Sequence, residues 1–319
     1  MTVVFVLSYR SFDLHHANFS ISLSGYTLSK KLLNVNADIF TLCIVISIFT
    51  VILSLFIHLI DDILKLENNI ESLENYTTSS HLFLIQNFSY EIITIIICLF
   101  IWRNIKRKSF SQIGLTNFKD NYFNLIHGLI IGFASITLCL ILISLFGDVS
   151  ISISDSFTFK ELIIYLLLYI LVGFSEEILV RGYMISTFAL NRKLSKITIL
   201  IITSLIFAAL HLSNPSITPL SFINLFLAGS SFAYMYFCTG SLWMSIGTHI
   251  TWNYFQGVIY GFNVSGFSDP SILSITEPVK NIINGGDFGM EGSIICTIVN
   301  ILQILYIWYM YRNKNSTQL

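Results

Sequence analysis

The chain has 319 residues, of which 54% are hydrophobic and only 11% charged, and its net charge is −1. A soluble domain carries roughly 25% charged residues, so most of this surface does not face water, and there is no global basic field of the kind that draws nucleic acid. The expected class is an integral membrane protein, an all-α polytopic helical bundle.

In chain order, residues 1–40 come first and contain "TVVFVLSY", which is too short to span a bilayer. The stretch lacks a basic start and a clear cleavage site, so it is not read as a signal peptide but as an N-terminal cytoplasmic extension. Eight apolar segments follow, at 41–60, 82–102, 123–146, 162–187, 197–212, 217–238, 241–260 and 293–311. The first has no Asp, Glu, Lys or Arg, whereas Gln86, Asn87 and Glu91 interrupt the second. The fifth is short and runs into "NPSITP", whose two prolines end a helix. Three N-terminal helices thus occupy 41–146, a loop rich in Gly, Ser and Asn occupies 258–292, and the last helix with a short cytoplasmic tail occupies 293–319.

The basic residues test this layout, because positive charge concentrates in cytoplasmic loops. With eight spans, 13 of the 17 Lys and Arg fall on one face, among them Arg103, Lys106, Arg107 and Lys108. The other face receives Lys65, Lys160 and Lys280, and Arg181 lies within a span. Both termini are therefore expected in the cytoplasm, with 258–292 on the opposite side. The five cysteines lie in apolar runs and are odd in number, which excludes a complete disulfide framework; they read as small buried hydrophobes.

The polar residues inside the spans carry the chemistry. Glu176, Glu177 and Arg181 fall within "GFSEEILVRGY", and each charge costs roughly 2.5–3.5 kcal/mol at a helix centre on insertion scales. Glu177 and Arg181 are spaced i, i+4 and can pair on one helix face, while Glu176 is rotated about 100° from Glu177. One acid is thus neutralised and its neighbour is left to act. The fifth span carries "FAALH", Phe207 to His211, and the seventh "HITWN", His249 to Asn253. A Glu, two His and an Asn on three neighbouring spans are expensive in hydrocarbon unless they line one cavity. His58 and His127, near span ends, read as satisfied core residues, and Glu91 and Asn224 as structural.

Such a set suits hydrolysis by activated water. A carboxylate can act as general base, while imidazole and carboxamide can stabilise an oxyanion. Alternatively Glu176, His211 and His249 could hold a divalent metal such as zinc with a position open for water. No HExxH and no GxSxG is present, so neither the usual helix-borne zinc motif nor a serine nucleophile is implied.

EExxxR, FxxxH and HxxxN, in that order on successive spans, resemble the CPBP family of intramembrane proteases (CAAX protease and bacteriocin-processing, also called Abi). The stretch "CTGSLWMSIGTHITWN" is also similar to the family's sequence before its last motif. The resemblance covers about residues 160–257, the catalytic core. It implies that Glu176 activates water, that Glu177 and Arg181 support it, and that His211 completes the site. It further implies that His249 and Asn253 bind the oxyanion, and that Phe207 belongs to the supporting set. The family is described both with and without metal; Asn253 and the missing zinc signature favour no metal.

The implied substrate is a membrane-associated peptide or protein, such as a CAAX-like tail, a pheromone or a bacteriocin precursor. The implied setting is the lipid bilayer, as a multi-pass protein of a bacterial cell membrane, with no nucleic-acid partner. The reading from another class is a non-enzymatic bacteriocin-immunity, scaffold or regulatory protein; a transporter has only the intramembrane charge in its favour. One point of geometry stays open. Glu176 and His249 lie in the cytoplasmic halves of their spans, whereas His211 lies near the far end of its own. For the three to meet, the fifth span should begin deeper than residue 197, or the helices should be offset.

Overall fold

The structure is a computed structural model that describes residues 77–155, 157–190, 194–277 and 279–312, with side chains from residue 84 onward. The first expected span, residues 1–40 and His58 lie outside the described residues.

The described chain is helical apart from one short strand pair. Helix α1, Thr77–Phe100, runs into a π turn, Ile101–Ile105. Helix α2, Phe118–Phe146, is followed by strand β1, Ser150–Ile153. Helix α3, Phe159–Glu177, starts on a reciprocal cap in which Thr158 Oγ1 accepts from Glu161 N and Glu161 Oε2 accepts from Thr158 N. It passes through a wide π turn, Ile178–Met184, into the short α4, Ile185–Ala189. Helix α5, Lys196–Leu210, is capped by Ser195, and α6, Pro219–Thr239, by Thr218 with proline in its first turn. Helix α7, Trp243–Tyr254, ends in a π turn, Phe255–Ile259. Strand β2, Leu273–Thr276, pairs antiparallel with β1, Ser150 opposite Thr276 and Ile153 opposite Leu273. Helix α8, Ile294–Tyr311, closes the described chain.

Five helical stretches are long and apolar enough to cross a membrane: Leu84–Ile105, Phe110–Phe146, Phe159–Ala189, Pro219–Thr239 and Ile294–Tyr311. They coincide with the second, third, fourth, sixth and eighth expected spans. The fifth and seventh appear as the shorter helices α5 and α7. The number eight is therefore not established by length alone, but the architecture is a helical membrane bundle, and the protein is an integral, multi-pass one.

Large apolar side chains such as Ile96, Ile130, Leu145, Ile298 and Trp308 point outward, as lipid-facing surfaces require. Helix α7 is the opposite case. Met244 through Ile250, including Ser245, Thr248 and His249, are all buried, and so are Trp252, Asn253 and Tyr254. Backbone proximity makes this central position accessible. A Cβ on Gly128 of α2 would lie 2.0 Å from Met244 O, and one on Gly247 of α7 would lie 2.6 Å from Leu125 O. Small residues at such crossings let membrane helices approach closely, and here they bring α2 against α7.

The other polar residues have local explanations. His127 Nε2 lies 3.0 Å from the Tyr306 hydroxyl. Asn224 donates to Glu291 O and Ser293 O, both at 2.8 Å, and accepts from Thr297 Oγ1 at 2.6 Å, which ties α6 to the start of α8. Glu91 accepts from the Ser175 hydroxyl. Cys98, Cys139 and Cys296 are buried thiols, Cys238 is partly buried, and all four are unbridged.

Candidate active site

Glu176 and Glu177 are the last two residues of α3, and the π turn begins directly after them. Such a turn widens the helix and is frequent at functional sites. Glu177 Oε1 accepts from Arg181 Nη1 at 2.9 Å, with both side chains wholly buried. Arg181 Nη2 donates to Gly229 O of α6 at 3.1 Å. Its guanidinium lies 4.3 Å from the centre of the Phe207 ring and 5.1 Å from that of Phe232. Phe207 thus packs a cation against an aromatic face, an interaction strengthened by desolvation.

Glu177 has a second partner. His249 Nδ1 lies 3.1 Å from Glu177 Oε1, so the carboxylate orients the ring as well as neutralising Arg181. The expected pair of Glu177 and Arg181 thus extends to His249, which also faces Glu176. Because Nδ1 is engaged, the ring turns Nε2 toward Glu176 Oε2, 3.8 Å away. Phe232 stacks on the imidazole at 5.2 Å.

The two acids differ in access. The side chain of Glu176 is 13% exposed and that of Glu177 is 0%, so only Glu176 is reachable. Each acid keeps one buried oxygen without a hydrogen-bond partner among the described residues, Glu176 Oε2 and Glu177 Oε2, while Glu177 Oε1 is shared by Arg181 Nη1 and His249 Nδ1. Burying an unpartnered carboxylate oxygen is costly; of the two acids, Glu176 is the one that lines the cavity.

His211 caps the C-terminus of α5, and its Nδ1 lies 2.8 Å from Phe207 O. A carbonyl only accepts, so Nδ1 carries the proton and Nε2 keeps its lone pair. The open point of geometry resolves through helix length. Helix α5 begins at Lys196, close to where the sequence put it, but its 15 residues extend only about 22 Å against a hydrocarbon core of about 30 Å. Its far end is therefore deep in the bundle. Glu176 in turn lies near the middle of the 31-residue stretch Phe159–Ala189.

Glu176, Phe207, His211, His249 and Asn253 line one cavity of ≈ 80 Å³. Its wall includes residues that motif reading passed over. Phe232 of α6 was inconspicuous among apolar neighbours. Val264, Ser265, Phe267, Asp269 and Glu291 come from the loop between α7 and α8, and Asn300 and Gln303 from α8. The long loop thus caps the cavity. Asp269 is held by the Tyr169 hydroxyl of α3, and Glu291 Oε2 accepts from Ser265 N at 2.6 Å and Ser265 Oγ at 2.8 Å. Burial pushes the Asp269 carboxyl up to about 6, only partly offset by the Tyr169 hydrogen bond. Burial likewise raises Glu291, against the hydrogen bonds from Ser265 and Gln256. Neither acid forms an ion pair among the described residues. Among the described residues, no three His, Cys, Asp or Glu side chains form a group arranged to hold a metal ion.

Residues 158–255 match the family model described as Type II CAAX prenyl endopeptidase Rce1-like. The matched segment includes the whole of EExxxR, FxxxH and HxxxN. No curated protein and no solved structure matches the chain. The family is one of proteases, which supports a hydrolase acting within the membrane. Over residues 158–255, the chain is similar to the Rce1-like CAAX endopeptidases, in agreement with the CPBP resemblance of its three motifs.

Proposed function

We propose that the protein is an intramembrane endopeptidase that hydrolyses a peptide bond of a membrane-associated peptide or protein with water activated by Glu176. The observation that carries this reading is the cavity on which Glu176, His211, His249 and Asn253 converge, with a Glu176 oxygen unpartnered among the described residues.

In this mechanism Glu176 accepts a proton from water as the water oxygen bonds to the scissile carbonyl carbon. The carbonyl oxygen becomes an oxyanion, stabilised by the Asn253 carboxamide and by His249 in its doubly protonated form, whose Nδ1–H stays with Glu177 and whose Nε2–H donates. The tetrahedral intermediate then collapses, the C–N bond breaks, and Glu176 returns the proton to the leaving amine. His211 Nε2, an acceptor by virtue of the Nδ1–H held at Phe207 O, orients the water. Glu177 fixes the His249 ring and is itself neutralised by Arg181. No step of this mechanism is routed through a metal ion. Treatment of the purified protein with 1,10-phenanthroline is accordingly expected to leave the cleavage rate unchanged, and a loss reversed by zinc would contradict this.

The family description supports a CAAX-like tail as the substrate; a pheromone and a bacteriocin precursor are the other membrane-associated peptides that the motif resemblance brings in. Comparative peptidomics of cells carrying wild type or Glu176→Gln tests the proposal: peptides that vanish with the variant identify the substrate, and identical peptidomes count against proteolysis. A non-enzymatic immunity or scaffold role would be favoured if Glu176→Ala, His211→Ala and His249→Ala all complement a loss of the chain.

A further inference from the structure

We propose that the end of the cavity away from Glu176 is a subsite for a cationic residue of the substrate, formed by Asp269, Glu291 and Asn300, about three peptide residues from the scissile bond. This rests on the peptidase reading above and extends it to sequence preference.

The cavity wall is rich in acceptors. No Lys or Arg among the described residues lines it, and Arg181 behind it is committed to Glu177 and Gly229 O. Asp269 and Glu291 both line it and are held only by neutral donors, Tyr169 for one and Ser265 for the other. The α8 wall gives an independent sign of a ligand. Asn300 is 1% exposed and lines the cavity. Its Nδ2 lies 3.3 Å from Cys296 Sγ, yet its Oδ1 has no partner among the described residues. Gln303, one helical turn on, is satisfied at both ends, donating to Ser231 Oγ at 2.7 Å and accepting from Ser135 Oγ at 2.8 Å. What this wall leaves over is therefore acceptor capacity. A buried acceptor without a donor is costly, and two carboxylates on the same cavity wall, both acting on Tyr169, favour a donor that carries charge. An acidic side chain or a terminal carboxylate placed here would meet like charge and no donor. The raised carboxyl of Asp269 fits an acid whose cation arrives with the ligand.

Distance along α3 sets the position. Tyr169, which holds Asp269, and Glu176 both line the cavity. Seven residues at 1.5 Å each separate them by about 10 Å. An extended peptide covers about 3.3 Å per residue, so the charge falls about three residues from the bond that Glu176 attacks.

The test separates binding from chemistry. Fluorescent 12-residue peptides with an apolar core carry one Lys, Gln or Glu, walked along the chain. They are titrated into the full-length Glu176→Gln protein in phosphatidylcholine nanodiscs, where the lipid has no net charge, and are offered to wild type for cleavage. The Lys peptides are expected to bind at least about tenfold tighter than the Glu peptides. The preference should be greatest about three residues from the cleaved bond. Adding Asp269→Asn and Glu291→Gln should erase it, and Asp269→Lys should reverse it toward Glu, an outcome that misfolding cannot produce. Equal binding of Lys and Glu peptides, or a preference that survives the double substitution, overturns the subsite. Retained preference without cleavage of any peptide supports the subsite and counts against the peptidase reading alone.

Discussion

The two ends of the cavity handle buried charge in opposite ways. Behind the Glu176 end, Glu177, Arg181 and His249 pair opposite charges: the guanidinium and the imidazole meet on one carboxylate oxygen, at 2.9 and 3.1 Å, and Phe207 and Phe232 cover the guanidinium. At the outer end Asp269 and Glu291 meet only hydroxyl and amide donors. The first arrangement supplies its own counter-charge, although Glu177 Oε2 and Arg181 Nε keep no hydrogen-bond partner among the described residues. The second is complete only with a donor from elsewhere. A buried acid alone therefore does not indicate function; whether the fold supplies its counter-charge separates scaffold from site.

The largest expected effect comes from breaking the charge-paired end. Arg181→Met leaves Glu177 buried without its main partner and should destabilise the protein by about 3–5 kcal/mol, read as a lower unfolding temperature in detergent and reduced accumulation in membranes. Asp269→Asn, which removes an uncompensated charge, should not lower the unfolding temperature; equal losses in the two variants would erase the contrast. The next effect is on chemistry. Asn253→Ala should reduce kcat by about 10²-fold with little change in KM, as for an oxyanion donor, measured with any peptide that wild type cleaves.

The smallest effect is on pH. The Asp269 carboxyl, ordinarily at 3.8, is raised to about 6 in the folded protein. Among the described residues, the titratable groups that interact with it are Tyr169 and Tyr165, neither of them cationic. A raised carboxyl means that the folded chain holds the proton more tightly than the unfolded one. This contribution to stability is full below about pH 4 and is lost as pH rises through about 6. Thermal melts of wild type should therefore decline over that window more than melts of Asp269→Asn.

The parts of the molecule that follow a period were legible from sequence. Long apolar runs gave the helices, and i, i+4 spacing gave the Glu177–Arg181 pair and the placement of His249 with Asn253. The depth of His211 was misjudged because a span was assumed to cross the whole core, whereas α5 is too short to do so. The second role of Glu177, orienting His249, depends on α3 meeting α7 and has no trace in either segment alone. The outer end was illegible for a related reason. Asp269 and Glu291 sit in a loop without periodicity, and only its fold over the bundle brings them to Tyr169 and Asn300. Phe232 looked like one more apolar residue of α6, because its stacking on His249 is visible only across helices.

The central claim is that adjacent acids divide the work, Glu176 reaching the cavity and Glu177 building it. The most direct measurement compares Glu176→Gln and Glu177→Gln side by side for membrane accumulation, unfolding temperature and peptide cleavage. Glu176→Gln should lose cleavage by about 10²–10⁴-fold while accumulating and unfolding as wild type does. Glu177→Gln should lose accumulation and thermal stability as well as cleavage. If the two variants behave alike, or if Glu176→Gln cleaves as wild type does, the account is contradicted.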